Sequence, residues 1–133
     1  MNRLKILLVD DNPEFLEVAA HFLSGHGALE IVGLANGGKE GLRMVEEFAP
    51  ELVLMDISMP GINGLEATRQ IKALPAPPRV IILTLYEGFE FCSFARDAGA
   101  DHLITKSDFG ESLLPAITRL FPQLQIEHMH ECA

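Results

Sequence analysis

Two hydrophobic rhythms alternate along the chain. Short, nearly unbroken apolar runs (Ile6-Leu7-Leu8-Val9, Val53-Leu54-Met55, Val80-Ile81-Ile82-Leu83, Leu103-Ile104) are separated by longer stretches with apolar residues every three or four positions. The first rhythm belongs to strands buried on both faces and the second to amphipathic helices. The pattern predicts five strand–helix units. Strand 1 spans about Leu4 to Val9, strand 2 Ile31 to Ala35, strand 3 Leu52 to Met55, strand 4 Val80 to Leu83, and strand 5 about His102 to Thr105. Asn12 can cap the first helix with Pro13 at its first position; Phe15, Val18, Ala19, Phe22 and Leu23 form its stripe, and Gly25 and Gly27 stop it. Asn36 is the expected cap of the second helix, which carries Leu42, Val45 and Phe48 and ends at Pro50. Asn63-Gly64 opens the third, through Leu65, Thr68 and Ile71, and Pro75-Ala76-Pro77-Pro78 makes a rigid turn after it. A Phe-rich helix from Gly88 to Ala98 ends at Gly99. The last helix runs to near Leu120 and is expected to begin near Glu111, so that Pro115 falls in its first turn. Strands alternating with helices imply an α/β fold with a parallel sheet and right-handed crossovers.

The residues that terminate the apolar runs carry the chemistry. Asp10-Asp11 follow strand 1, Asp56 follows strand 3, Thr84 follows strand 4 and Lys106 follows strand 5. Functional groups of an open parallel sheet gather at such carboxyl ends, near the point where strand order reverses. Acids after strands also serve as helix caps, a lone lysine is ordinarily a surface residue, and a lone threonine is an ordinary strand residue. All five on four separate strand ends argue against those readings. Three crowded carboxylates repel one another and call for a cation, and oxygen ligands with room for water point to Mg²⁺. Asp56 is then a candidate nucleophile, since a carboxylate can accept a phosphoryl group as an acyl phosphate without a general base. Lys106 and Thr84 can cover oxygens of the transferring group. No Ser/His/Asp or Cys/His arrangement is evident.

Length and composition narrow the classes. A chain of 133 residues is one domain, and a net charge of −9 disfavours a nucleic-acid partner for this domain alone. Two cysteines, Cys92 and Cys132, make no disulfide framework, and the apolar runs are too short for a membrane span or signal peptide; a cytoplasmic location is expected.

In combination, LLVDDN at Leu7 to Asn12, DISMPGINGLE at Asp56 to Glu66, ILTLY at Ile82 to Tyr86 and GADHLITK at Gly99 to Lys106 resemble the receiver domain of two-component response regulators, over about Leu4 to Leu120. The resemblance implies a flavodoxin-like (βα)5 three-layer sandwich with strand order 2-1-3-4-5. It implies Asp56 as phosphoacceptor, and Mg²⁺ held directly by Asp11, Asp56 and the backbone carbonyl of Ser58, and through water by Asp10. It further implies Lys106 on the phosphoryl group and Thr84 shifting toward it. The implied donor is a histidine kinase or a histidine-containing phosphotransfer protein, with a phosphorylation-dependent homodimer as a further assembly. Where the family often has an aromatic residue three before the lysine, this chain has Leu103; where proline commonly follows the lysine, it has Ser107, so a trans turn is expected. The pattern is similar to receivers of the LuxR helix-turn-helix class. Residues 1–121 are expected to form the receiver and 122–133 a loosely ordered tail or the start of a linker. The chain then serves as a stand-alone relay receiver or as the sensor part of a transcription regulator whose output domain is absent.

Two other classes are compatible with the residues: a pseudo-receiver that binds partners without phosphotransfer, and a Mg²⁺-dependent phosphohydrolase. The second normally needs an acid two residues after the nucleophile, where this chain has Ser58. Phe89, Phe91 and Phe94 cannot all face the core at their spacing, although core packing is the reading for each singly. Tyr86, two after Thr84, lies at the site entrance, in the place that tunes phosphoryl loss in the family, or is a plain surface aromatic. His128, His130 and Cys132 alternate as metal ligands could, against the simpler reading of a disordered tail.

Overall fold

A computed structural model describes residues 3–85 and 89–124, and the backbone alone of 89–91. Five parallel strands form one sheet in the order β2-β1-β3-β4-β5. The elements are β1 (Leu4–Val9), α1 (Pro13–Ser24), β2 (Leu29–Ala35), α2 (Gly38–Phe48), β3 (Leu52–Asp56), α3 (Gly64–Lys72), β4 (Arg79–Thr84), α4 (Phe89–Ala98), β5 (His102–Thr105) and α5 (Phe109–Leu120), with a single 3-10 turn over Lys106–Asp108.

The period-two geometry of the strands divides their side chains between two cores. Leu4, Ile6 and Leu8 of β1, Leu52 and Leu54 of β3, and Ile81 and Leu83 of β4 pack with Leu16, Ala19 and Leu23 of α1 and Leu113 and Ile117 of α5. The intervening residues, Leu7 and Val9, Val53 and Met55, Val80 and Ile82, pack with Val45 of α2, Ala67 and Ile71 of α3, and Ala95 of α4. The sheet is therefore the middle of three layers, which explains why its strands read as continuous apolar runs.

Local chemistry sets the helix ends. The Asn12 side chain accepts from the N–H groups of Glu14 and Phe15 at the start of α1, and Asn63 accepts from Glu66 N–H at the start of α3. For α2 the expectation fails. Gly37, not Asn36, stands at the cap and offers no side chain, while the Asn36 N–H donates to Glu40 Oε1 at 2.7 Å. Phe48 is also corrected: it ends the α2 stripe but is exposed at 38%. Ala49, left-handed at φ 50°, turns the chain into Pro50. The last helix begins at Phe109, earlier than expected, so Pro115 lies inside it. The carbonyl that Pro115 cannot serve belongs to Glu111; both residues are exposed, so water can reach it. Among the described residues there is no cis peptide, in keeping with a trans turn at Ser107. Phe94 is exposed at 52%, against the core reading; Tyr86, the side chains of Phe89 and Phe91, and His128, His130 and Cys132 lie outside the described residues, as does Gly88. Among the described residues, no helix is long and apolar enough to cross a membrane.

At the amino ends of the strands sits a polar clasp that the sequence does not announce. Asp101, just before β5, accepts from Val80 N–H at 2.8 Å, Lys72 Nζ at 3.0 Å and Arg79 Nη1 at 3.0 Å, and Lys72 Nζ also donates to the Pro78 carbonyl at 2.9 Å. Burial pushes the Asp101 carboxyl up, but the Val80 N–H and the two cations outweigh it and hold it below the usual carboxylate range. Its stabilising contribution is thus present above the ordinary carboxylate pKa and is lost as pH falls through the lower, folded-state value. Asp101→Asn is expected to cost about 1–3 kcal/mol at neutral pH, because Lys72 loses its buried counter-charge. Urea unfolding should show that gap at pH 7 and show it shrinking toward pH 3.

Candidate functional site

The carboxyl ends of β1 and β3 are adjacent in the sheet, and the chain leaves them in opposite directions, to β2 on one side and β4 on the other. This switch point opens a crevice, and Asp10, Asp11 and Asp56 line it. Strand parity assigns faces. Asp10 continues the series Leu4-Ile6-Leu8, Asp56 continues Leu52-Leu54, and Lys106 continues from Ile104, so all three belong to the face covered by α1 and α5. Thr84 continues Val80-Ile82 and belongs to the other face. One carboxylate oxygen from each of Asp10, Asp11 and Asp56 lies within 4.8 Å of the other two. Asp10 and Asp56 are buried, at 1% and 4% exposure, whereas Asp11 is open to solvent.

The chain positions each group by backbone bonds. Asp10 N–H donates to the Ala35 carbonyl at 3.0 Å, and Asp10 Oδ1 accepts from Asn12 N–H at 2.9 Å. Beyond Asp56, Ile57 N–H donates to the Leu83 carbonyl at 3.1 Å and Gly64 N–H to the Ile57 carbonyl at 3.0 Å, closing the loop back on the end of β3. Gly64 has to be glycine there, because a Cβ would fall on the Asp56 carbonyl oxygen. Gly61, at φ 77°, makes the reversal inside that loop.

Lys106 reaches back over the cluster from the first residue after β5. Its Nζ stands 2.6 Å from Asp10 Oδ2 and 3.2 Å from Asp56 Oδ1, with the side chain only 10% exposed. The structure therefore brings together Asp10, Asp11, Asp56 and Lys106, four of the residues singled out in the sequence. Thr84 is fully buried at the end of β4, one residue past Leu83, the register partner of Asp56. Ser58 is exposed on the loop two residues after Asp56.

Among the described residues, charge in the crevice is unbalanced: three carboxylates face one ammonium. The like charges repel one another, most strongly for the buried pair Asp10 and Asp56 and least for solvent-exposed Asp11. Burial and, next, the Asp10 charge push the Asp56 carboxyl from 3.8 up to about 6, against the opposing pull of Lys106. A hard divalent cation fits this donor set: all ligand atoms are oxygen, the acids are under-neutralised, and exposed Asp11 leaves a side open to water.

The pH consequence has a definite sign. Because folded Asp56 binds its proton more tightly than the unfolded chain, native stability falls as pH rises from about 4 to 6 and the penalty persists above. Asp56→Asn should therefore stabilise the metal-free protein at pH 7.5 by up to about 3 kcal/mol, with little gain at pH 4. Thermal melts at both pH values with chelator present check this, and millimolar Mg²⁺ should erase much of the difference.

Comparison with known proteins places the chain. Residues 6–118 match the response regulator receiver domain family. The chain is 35% identical over 118 residues to response regulator GacA of Pseudomonas aeruginosa, covering 89% of this chain and 55% of that protein. It is 32% identical over 114 residues to the transcriptional regulatory protein LiaR of Bacillus subtilis, covering 86% of this chain and 54% of that one. It thus spans about half the length of these curated relatives. Among solved structures, a LuxR-family two-component response regulator from Aurantimonas superposes with a TM-score of 0.85 at 31% identity, over 93% of this chain and 89% of that chain. With its sheet order, its switch-point acids and this match over most of its length, the chain belongs to the response regulator receiver domain family.

Proposed function

We propose that this chain is a phosphorylation-controlled switch in which Asp56 accepts a phosphoryl group from a phosphohistidine of a histidine kinase or histidine-containing phosphotransfer protein. The observation that carries this reading is the placement of Lys106 Nζ between Asp10 Oδ2 and Asp56 Oδ1 on an otherwise acidic crevice. Receiver domains bind Mg²⁺ at an acidic pocket and are phosphorylated by histidine kinases, and the grouping of Asp10, Asp11 and Asp56 supports the same reading here.

In the proposed step an ionised Asp56 oxygen attacks phosphorus in line with the leaving imidazole nitrogen. The P–N bond breaks, a P–O bond forms, and the electron pair returns to the imidazole. Asp56 needs no base above pH 6, since it is then mostly ionised. Asp11, Asp56 and the Ser58 carbonyl would hold Mg²⁺ directly, with Asp10 acting through water; bound there, the ion would neutralise charge on the phosphoryl oxygens. Lys106 covers a second oxygen as its charge develops. Thr84 turns toward a third, which couples the site to β4 and the α4 side of the molecule. The domain acts as a phosphoacceptor that catalyses its own phosphorylation and slow dephosphorylation. The kinship with the transcriptional regulatory protein LiaR supports an output through transcription, exerted by a part of a longer protein beyond the receiver; the receiver occupies residues 1–121, works in the cytoplasm and contacts proteins rather than nucleic acid or membrane. A phosphorylation-dependent homodimer is part of the same reading.

Incubation with acetyl phosphate and Mg²⁺, read by intact mass, should label the native chain and leave Asp56→Asn unlabelled; equal labelling of the variant would remove Asp56 from the proposed role. Lys106→Ala should bind Mg²⁺ as tightly as the native chain or more so in calorimetry, because an ammonium that competes for Asp10 and Asp56 is gone. The same variant should lose the amide chemical-shift changes that accompany phosphorylation. A native chain that ignores millimolar Mg²⁺ would instead be a pseudo-receiver.

A further inference from the structure

We propose that Phe15 is a positioning residue for phosphoryl transfer, its ring face holding the Lys106 ammonium at the acid cluster. The proposal rests on the reading of Asp56 as phosphoacceptor. By its spacing Phe15 belongs to the apolar stripe of α1, and its neighbours include the α1–α5 core. Its position shows a second use. Lys106 Nζ lies 4.4 Å from the centroid of the Phe15 ring.

An ammonium is strongly hydrated and carries three donors. That of Lys106 is mostly withdrawn from water, with Asp10 and Asp56 on one side and the electron-rich ring on another. The ring takes the place of solvent, and such contacts reach the upper end of their strength when water is excluded. The contact closes a circuit. Asp10 Oδ1 accepts from Asn12 N–H at 2.9 Å, Asn12 Oδ1 accepts from Phe15 N–H at 3.4 Å, the Phe15 ring faces Lys106 Nζ, and Lys106 returns to Asp10 Oδ2. The stretch from Asp10 to Phe15 thus carries the acid, the helix cap and the aromatic wall together.

The wall is braced from behind. The ring of Phe109, three residues after Lys106 and 5% exposed, meets Phe15 edge-on at 5.4 Å and 75°, and it meets Phe22 at 5.6 Å. Phe15 is thereby packed, half-buried, against the core between α1 and α5. When the phosphoryl group arrives, Lys106 must meet an oxygen lying farther out than the Asp56 carboxylate. A ring face in contact with the ammonium favours its place beside the acids as that charge develops. A leucine would keep an apolar side chain there without offering a negative face.

The test uses the whole chain, acetyl phosphate and saturating Mg²⁺, with labelling followed by intact mass. Phe15→Leu should slow labelling about five- to tenfold, and Phe15→Tyr should stay within about twofold of native. In a Lys106→Ala background, Phe15→Leu should add little further slowing. Native rates for Phe15→Leu, equal losses for the Leu and Tyr variants, or full additivity with Lys106→Ala would each overturn the proposal. A second measurement needs no variant at Phe15. In the unaltered chain the Lys106 Cε protons should resonate upfield of those of a solvent-exposed lysine because of the ring current, and an ordinary shift would refute the contact. Asp56→Asn serves as the control, since labelling that survives there defeats the phosphoacceptor reading and leaves the ring-current result standing on its own.

Discussion

Like charges packed at the mouth of a sheet constrain this molecule more than any other interaction. Repulsion between buried like charges matters beside the roughly 5–15 kcal/mol that holds a typical domain together. The crevice tolerates it through one lysine touching two of the acids, one acid left in solvent, and a central carboxyl whose proton affinity is raised. A cluster short of positive charge attracts a divalent cation, and it repels an incoming anion until such a cation is bound.

The rest of the fold serves to keep those charges together. Buried apolar strands force three layers, and three layers force helices onto both faces. The divergence of the chain from the ends of β1 and β3 creates a crevice in which side chains from separate strand ends meet. Gly64 against the Asp56 carbonyl and Asn12 against the Asp10 carboxylate then hold the two loops at that crevice. A matched carboxylate and an under-neutralised acid cluster occupy opposite ends of the strands. At the amino ends, Asp101 is matched by two cations and a backbone N–H, and its carboxyl is held low. At the carboxyl ends, Asp56 is outnumbered by its own kind and its carboxyl is pushed up. One carboxylate is matched by cations and a backbone donor; the other is left short of positive charge.

Several features escape the sequence for identifiable reasons. Proline chemistry alone places the start of α5 too late, because it puts Pro115 in the first turn; an exposed carbonyl that water can serve removes that need. Asn36 has the residue type of a cap, yet its backbone is served by Glu40, a choice that depends on how α2 meets the end of β2. Asp101 stands in view within the GADHLITK stretch, but nothing nearby in sequence announces that Lys72, 29 positions away, will supply its counter-charge.

Apolar run length, helical spacing and the residues that end each run were enough to read the strands and the parallel sheet and to single out five candidate groups at the strand ends, because those depend on the period of the backbone and on local hydrogen bonding. The tertiary structure alone decided which of those groups touch. Strand parity and order put Asp10, Asp56 and Lys106 on one face and Thr84 on the other. The packing of α1 against α5 turned Phe15 from a stripe residue into a wall beside the ammonium. Contacts between residues distant in the chain are set by how layers dock, and no local pattern encodes that distance.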